Sequence, residues 1–405
     1  MSPSPEKRPT ITFKSTISRP VRWGASCPPK NRYEMTATFP IEPRLLLGPG
    51  PSPVHPRILD ALSRPTIGHL DPQFLAIMDE VSDRLRRVFG TKNQMTFAIS
   101  GTGSAAMEAA MANVVEPGDS VIVGVNGAFG GRLVDVGRRM GADVVAVEAE
   151  WGCIVPPERL IKALRAHPDA RVLAVVHAET STGVRQPLEE IGAAVASTDT
   201  LFLVDAVTSV GGLPVEVDRI GIDVCYAGTQ KCLGVPPGLG PITFSPRAME
   251  RITTRRVPCQ SFYLDVNLLA AYLREERRYH HTAPINMFYA LHEGLAMVEE
   301  EGLEASWQRH AEVGTALQEA LVERGFGLFA EEGHRLPQLT SAILPGGREE
   351  GPLRSALLER HGIEVGGGLG SATGKLWRVG LMGAGATQDT VERFLEAIDD
   401  LIPRR

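Results

Sequence analysis

Lys231 closes the run Tyr226-Ala-Gly-Thr-Gln-Lys231, directly after an apolar stretch, Asp223–Ala227, that reads as a buried strand. An amine held there loses hydration, which lowers its pKa and makes it a nucleophile or base near neutral pH. Alone, the position is ambiguous, because lysines near strand ends commonly extend to solvent. Twenty-six residues earlier, Leu201-Phe-Leu-Val-Asp205 puts an aspartate at the carboxyl end of a wholly apolar strand. Open α/β sheets bind ligands outside the carboxyl ends of their strands. A carboxylate there can pair with the ring nitrogen of a pyridine cofactor and keep it protonated, which makes the ring an electron sink. An Asp capping the next turn is the plainer account, but it leaves a second functional group at another strand end unexplained.

A third signal is Ser100-Gly-Thr-Gly-Ser104, between a strand and an Ala-rich helix. Small residues let the backbone approach an anion, and the helix start supplies free N–H groups and partial positive charge. The same residues match the dinucleotide fingerprint from Gly101 to Ala106, so a nicotinamide enzyme stands as a rival. That fingerprint usually opens its domain, whereas about a hundred residues precede it here, and it gives Lys231 no task. Gly374-Lys375 lacks the glycine and Ser/Thr of a phosphate-binding loop, and His177-Ala-Glu179 lacks the Pro-Cys-x-x-Cys partner of a zinc deaminase. No metal site is expected. Thr180 can offer its hydroxyl to a phenolic oxygen, and Phe129 can stack on an aromatic ring or simply pack in the core. Arg378, in the apolar run Trp377-Arg-Val-Gly, needs an anion: a substrate carboxylate held by its fork, or a structural Asp or Glu.

The elements that must position these residues follow from periodicity. Met95–Ile99, Val121–Val125, Val144–Val147, Val172–Val176 and Leu201–Val204 read as strands apolar on both faces, with Asp223–Ala227 and Pro241–Phe244 after them. Helices such as Ala105–Val115 and Pro157–Ala166 form the crossovers, so the class is α/β with a mostly parallel sheet flanked by helices. Ile285 to Arg324 reads as one long helical stretch. Thr340–Leu344, Leu353–Arg360, Leu376–Leu381 and Thr387–Leu401 then make a smaller C-terminal α/β domain. The expected division is an N-terminal arm at 1–43, a large domain at 44–304 and a small one at 305–405.

The chain has 405 residues, 43% hydrophobic and 22% charged, with a net charge of -6. That balance gives no basic face for nucleic acid. No apolar run is long enough for a membrane span. Five cysteines, Cys27, Cys153, Cys225, Cys232 and Cys259, suit a reduced, cytoplasmic protein better than a disulfide framework. The first forty residues are rich in Ser, Thr and Pro and lack the apolar segment of a secretory signal.

From residue 44 onward the chain resembles the class V aminotransferases of fold type I, within them the alanine–glyoxylate and serine–glyoxylate aminotransferases. The likeness lies in Leu45-Leu-Leu-Gly-Pro-Gly-Pro-Ser, Ser100-Gly-Thr-Gly, Glu116-Pro-Gly-Asp-Ser, Ser181-Thr-Gly-Val, Val204-Asp-Ala-Val-Thr-Ser and Gly228-Thr-Gln-Lys231. It continues through Pro236-Pro-Gly, Tyr279-His-His-Thr282 and Gly367-Gly-Leu-Gly-Ser-Ala-Thr-Gly-Lys. The resemblance implies pyridoxal 5'-phosphate bound to Lys231 as a Schiff base, with Asp205 on the ring nitrogen and Thr180 on the 3-oxygen. Thr102, Gly103, Ser104 and Gln230 would hold the phosphate, and Phe129 would stack on the ring. Tyr279 and Thr282 would reach the neighbouring subunit's cofactor, which implies a homodimer with composite sites. Arg378 would take the carboxylate of a small amino or 2-oxo acid. Animal members carry histidine at the place of Ser104 and tryptophan at that of Phe129. Relatives acting on ureidoglycine or pyridoxamine share the fold, but Tyr-His-His-Thr looks more like the glyoxylate–alanine/serine branch. The choice between alanine and serine as donor is not legible.

Overall fold

The computed structural model describes residues 41–273 and 277–402, and its helices and strands belong to the unit that begins at Pro43. The arm expected at 1–43 lies, apart from its last three residues, outside the described residues.

The dominant feature is a seven-stranded sheet. Its strands are β1 (Met95–Ser100), β2 (Ser120–Val125), β3 (Asp143–Glu148), β4 (Val172–Val176), β5 (Leu201–Asp205), β6 (Val224–Tyr226) and β7 (Leu239–Phe244). Across the sheet they run β1-β7-β6-β5-β4-β2-β3. The neighbours from β6 to β3 are parallel, and β7 alone runs antiparallel to both β6 and β1. Alternate side chains feed separate cores: Leu173, Val175, Phe202 and Val204 on one face, Val172, Ala174, Leu201 and Leu203 on the other. A sheet covered on both faces needs strands that are apolar throughout, which is why β4 and β5 show no polar alternation.

The expectation for Val144–Val147 needs correction. Its β-branched residues suggest a strand covered on both faces, but β3 is an edge strand and only Val147 is buried. Residue type alone does not separate an edge from a centre.

The crossovers α1 (Gly103–Val114), α2 (Ala128–Arg139) and α3 (Pro157–Ala166) each leave the carboxyl end of a strand or the loop after it. Further on, the stretch expected to be one long helix is two, α4 (Ile285–Glu301) and α5 (Leu303–Glu323). Gly302 between them has φ +88, a conformation outside the helix that glycine adopts without a Cβ clash.

A second sheet of four antiparallel strands follows. Its strands are β8 (Gly327–Leu328), β9 (Leu339–Ile343), β10 (Gly366–Gly367) and β11 (Leu376–Gly380), in the order β8-β9-β11-β10. Helices α6 (Glu350–His361) and α7 (Gln388–Leu401) cover one face around Trp377, Val379 and Phe394. Thr387 caps α7, its Oγ1 accepting from the Thr390 N–H at 3.2 Å. The segment Leu45–Gly50 links the two sheets: Gly380 N–H donates to the Leu47 carbonyl at 2.8 Å, and Gly50 then passes over Lys231.

Candidate active site

Five loops meet beyond the carboxyl ends of β1, β2, β4, β5 and β6. Thr102–Ser104, Phe129, Thr180 and Gln230–Lys231 follow β1, β2, β4 and β6, and Asp205 is the last residue of β5. Register does the positioning: Val176 pairs with Asp205, and Asp205 pairs with Tyr226, so the ends of β4, β5 and β6 lie level.

Asp205 is 2% exposed, and its carboxylate accepts from the Val207 N–H and the Tyr226 hydroxyl, each at 2.9 Å. Among the described residues, no ammonium or guanidinium bonds to it. Burial therefore pushes its pKa up to about 6, with the nearby Glu179 charge adding to the effect. Lys231 is 8% exposed, and burial lowers its pKa to about 8. Its Nζ donates to the Pro49 carbonyl, and its side chain lies against Gly50, where φ is +106 and a Cβ would meet the lysine. Ser52 fixes the lysine's own backbone, its Oγ donating to the Lys231 carbonyl at 2.8 Å.

Thr102 is the N-cap of α1, yet its hydroxyl makes no capping bond, and Thr102 and Ser104 both stand exposed. Gly103 starts the helix beneath Val207, which a Cβ would meet at 3.0 Å. Gln230 Oε1 is buried with no partner among the described residues. An incoming phosphate needs donors, and the helix-start N–H groups and the Thr102 hydroxyl are free to donate. Arg132 stands beside them, with its guanidinium 4.8 Å from the centre of the Phe129 ring and Nη1 donating to Ser104 Oγ at 3.5 Å.

Thr180 begins the tight turn between the two-residue strands Ala178–Glu179 and Val184–Arg185, and its hydroxyl has no partner among the described residues. Gly183 completes that turn at φ +79. Arg378, on β11, reaches the turn from the other sheet: Nη1 donates to the Thr180 carbonyl at 3.2 Å and Nε to the Gly367 carbonyl at 2.7 Å. No Asp or Glu among the described residues bonds to it, contrary to the structural ion pair the sequence left open, and Nη2 donates to none of the described groups. Burial lowers its pKa, and Glu179 opposes that.

Tyr279 and Thr282 are not brought into this cluster. Both are exposed, and the Tyr279 ring packs against His69 at 5.2 Å. Their neighbour His281 does approach, with Nε2 2.7 Å from Ser100 Oγ. Sequence reasoning missed two residues at the site. Arg132 gave no sign, being one arginine on an exposed helix face. The sequence presents Glu179 only as half of a failed zinc motif, although a Glu three residues past a buried strand is a signal in itself. It is 0% exposed and accepts four hydrogen bonds.

The residues present fit pyridoxal phosphate: a buried amine, a buried carboxylate without a cation, and an open helix start. The family model for class V aminotransferases matches residues 50–394. The chain is 42% identical to the alanine–glyoxylate aminotransferase of Callithrix jacchus over 366 residues, 89% of this chain and 88% of that one. It is 38% identical to the (S)-ureidoglycine–glyoxylate transaminase of Bacillus subtilis, over 89% of this chain and 91% of that one. In three dimensions it is similar to an alanine–glyoxylate aminotransferase from Nostoc sp., with a TM-score of 0.88, 49% identity, and coverage of 90% of this chain and 96% of the other.

Proposed function

The chain belongs to the class V aminotransferases, which are enzymes dependent on pyridoxal phosphate, and from that premise we propose that it moves an amino group from alanine or serine to glyoxylate. Family membership leaves the nicotinamide reading of Gly101–Ala106 without support. The observation that carries the proposal is the pairing of buried Lys231 with buried, cation-free Asp205 at the ends of adjacent strands.

When bound, the cofactor supplies an electron sink for the α-carbon as its proton leaves. Lys231 would hold the cofactor through Nζ, and its amine, with a pKa lowered to about 8 by burial, would serve to take the α-proton at Nζ and return it elsewhere. Asp205 keeps the ring nitrogen protonated, and that cation relieves the cost of burying its own charge. Thr180 donates its hydroxyl to the 3-oxygen. Thr102, Gly103, Ser104 and Gln230 hold the phosphate, and Phe129 covers the ring. Arg378 takes the substrate carboxylate with the donors left over from Thr180 and Gly367, fixing the bond to be broken relative to the ring. An oxo acid then enters by the same contacts, so the two half-reactions share one site.

The proposal includes a homodimer in which Tyr279 and Thr282 complete the neighbour's phosphate site. Their exposure beside the Phe262–Tyr263 surface, 70% and 44% exposed, supports it. It also includes a large domain at 44–304, a small one at 305–405, and a cytoplasmic location suggested by cysteine usage. A screen of amine donors against glyoxylate is the test. Turnover with alanine or serine supports the reading, and turnover only with ureidoglycine or pyridoxamine overturns it.

A further inference from the structure

Helix α2 has Gly127 at its N-cap position, with no side chain to cap it. The first N–H groups of such a helix must still be satisfied when they are buried. Here the caps come from a loop fifty residues on. Ser181 Oγ accepts from the Ala128 N–H at 2.9 Å, and Glu179 Oε2 accepts from the N–H groups of Phe129 at 3.0 Å and Gly130 at 3.2 Å. Oε1 of the same carboxylate accepts from the Ser181 N–H at 3.0 Å and the Ser181 hydroxyl at 2.6 Å. A carboxylate at a helix start also meets the positive end of the helix dipole.

We propose that Glu179 is a positioning residue: its carboxylate fixes the start of α2, and with it the ring of Phe129, against the turn that carries Thr180 and receives Arg378. This rests on the cofactor reading above, which gives Phe129 and Thr180 their partners. Gly127 supports the proposal independently. Its φ is 177, extended backbone open to any residue, so conformation does not call for glycine. Room does: a Cβ there would lie 2.5 Å from both Glu179 Cδ and Ser181 Oγ. Burial raises the Glu179 pKa while its hydrogen bonds from Ser181, Gly130 and Phe129 favour the ionised form, and that form contributes charge. It acts on Lys231, Asp205 and Arg378, and the groups acting on Lys231 are Cys232, Arg378, Asp205 and Glu179.

Glu179→Gln keeps the shape but turns an amide NH₂ toward two donors, either the N–H groups of Phe129 and Gly130 or the N–H and hydroxyl of Ser181. Gly127→Ala displaces the same carboxylate and the Ser181 hydroxyl without removing any hydrogen-bonding group. The cofactor-free variants are titrated with 4'-deoxypyridoxine 5'-phosphate, a ring that cannot bond to lysine. Both should bind it about tenfold more weakly or worse, the scale of one lost charged hydrogen bond. In the loaded Glu179→Gln protein, the absorbance of the lysine-bound cofactor should titrate at lower pH, by roughly 0.5 to 1, since a negative charge favouring the protonated nitrogen has gone. A purely structural role would lower thermal stability and leave both readings at wild-type values, which overturns the proposal. If Glu179→Gln does not fold, Gly127→Ala decides, and wild-type affinity there overturns it. Mapping the cofactor to its lysine separates the two readings: wild-type behaviour of these variants with the cofactor on Lys231 sinks this proposal alone, whereas a different lysine sinks the reading beneath it.

Discussion

Arg378 Nη1 donates to the Thr180 carbonyl at 3.2 Å, so the guanidinium on the small sheet is tied to the turn that follows β4 of the large sheet. Nε is committed to Gly367, and Nη2 is left for an anion. A lysine offers one ammonium in place of this fork and cannot serve all three directions. Arg378→Lys should therefore raise KM for the amino donor and for glyoxylate together, about tenfold or more, as for loss of a charged hydrogen bond. Single-turnover titration of both substrates checks this, and unchanged affinity for both would make Arg378 structural.

Asp205→Asn removes the charge that holds a proton on the ring nitrogen. The loss of transition-state stabilisation should be roughly 3–6 kcal/mol, the range of a major electrostatic group. A rate loss below about tenfold, or ~1.4 kcal/mol, contradicts the role.

The same residue makes a prediction for the cofactor-free protein. Its pKa is 3.8 in the unfolded chain and about 6 when folded, so the folded state favours the proton. Wild type thus loses stability relative to Asp205→Asn as pH rises from about 4 to 6. The gap should change by up to ~3 kcal/mol, at 1.36 kcal/mol per pKa unit, and then level off. Urea unfolding across that range reads it, and a gap that stays constant is the contrary result.

Lys231 must be neutral to capture the cofactor. With its pKa near 8, the capture rate in cofactor-free protein should rise with pH and level off above about 8. A rise continuing toward pH 10 would mean that the amine is not desolvated as described.

Composite sites are tested by complementation. An inactive Lys231→Ala chain mixed with an inactive Thr282→Asp chain should regain activity as subunits exchange, because one site of the heterodimer is intact. A fully active monomer by light scattering contradicts the shared site.

Much of the fold and the site is legible in residue order alone. The unbroken apolar runs of β4 and β5 announce a sheet buried on both faces, and the strand-end positions of Asp205 and Lys231 announce the site. Legibility fails where the deciding partner is distant in sequence. The edge position of Val144–Val147 depends on sheet order, and the break at Gly302 sits inside otherwise continuous helical periodicity. Glu179 escapes notice because its four donors are three backbone amides and one hydroxyl, which leave no mark in residue type. Arg132 acquires meaning only once folding sets it beside Phe129 and Ser104.

The central claim is that Lys231 carries the cofactor. Reducing the pyridoxal-phosphate-loaded protein with borohydride fixes the cofactor to its lysine, and peptide mass analysis then locates it. The account predicts the added mass on the peptide containing Lys231, and a Lys231→Ala protein that stays folded but carries no fixed cofactor and performs no transamination. Cofactor fixed to another lysine, with turnover persisting in Lys231→Ala, would contradict it.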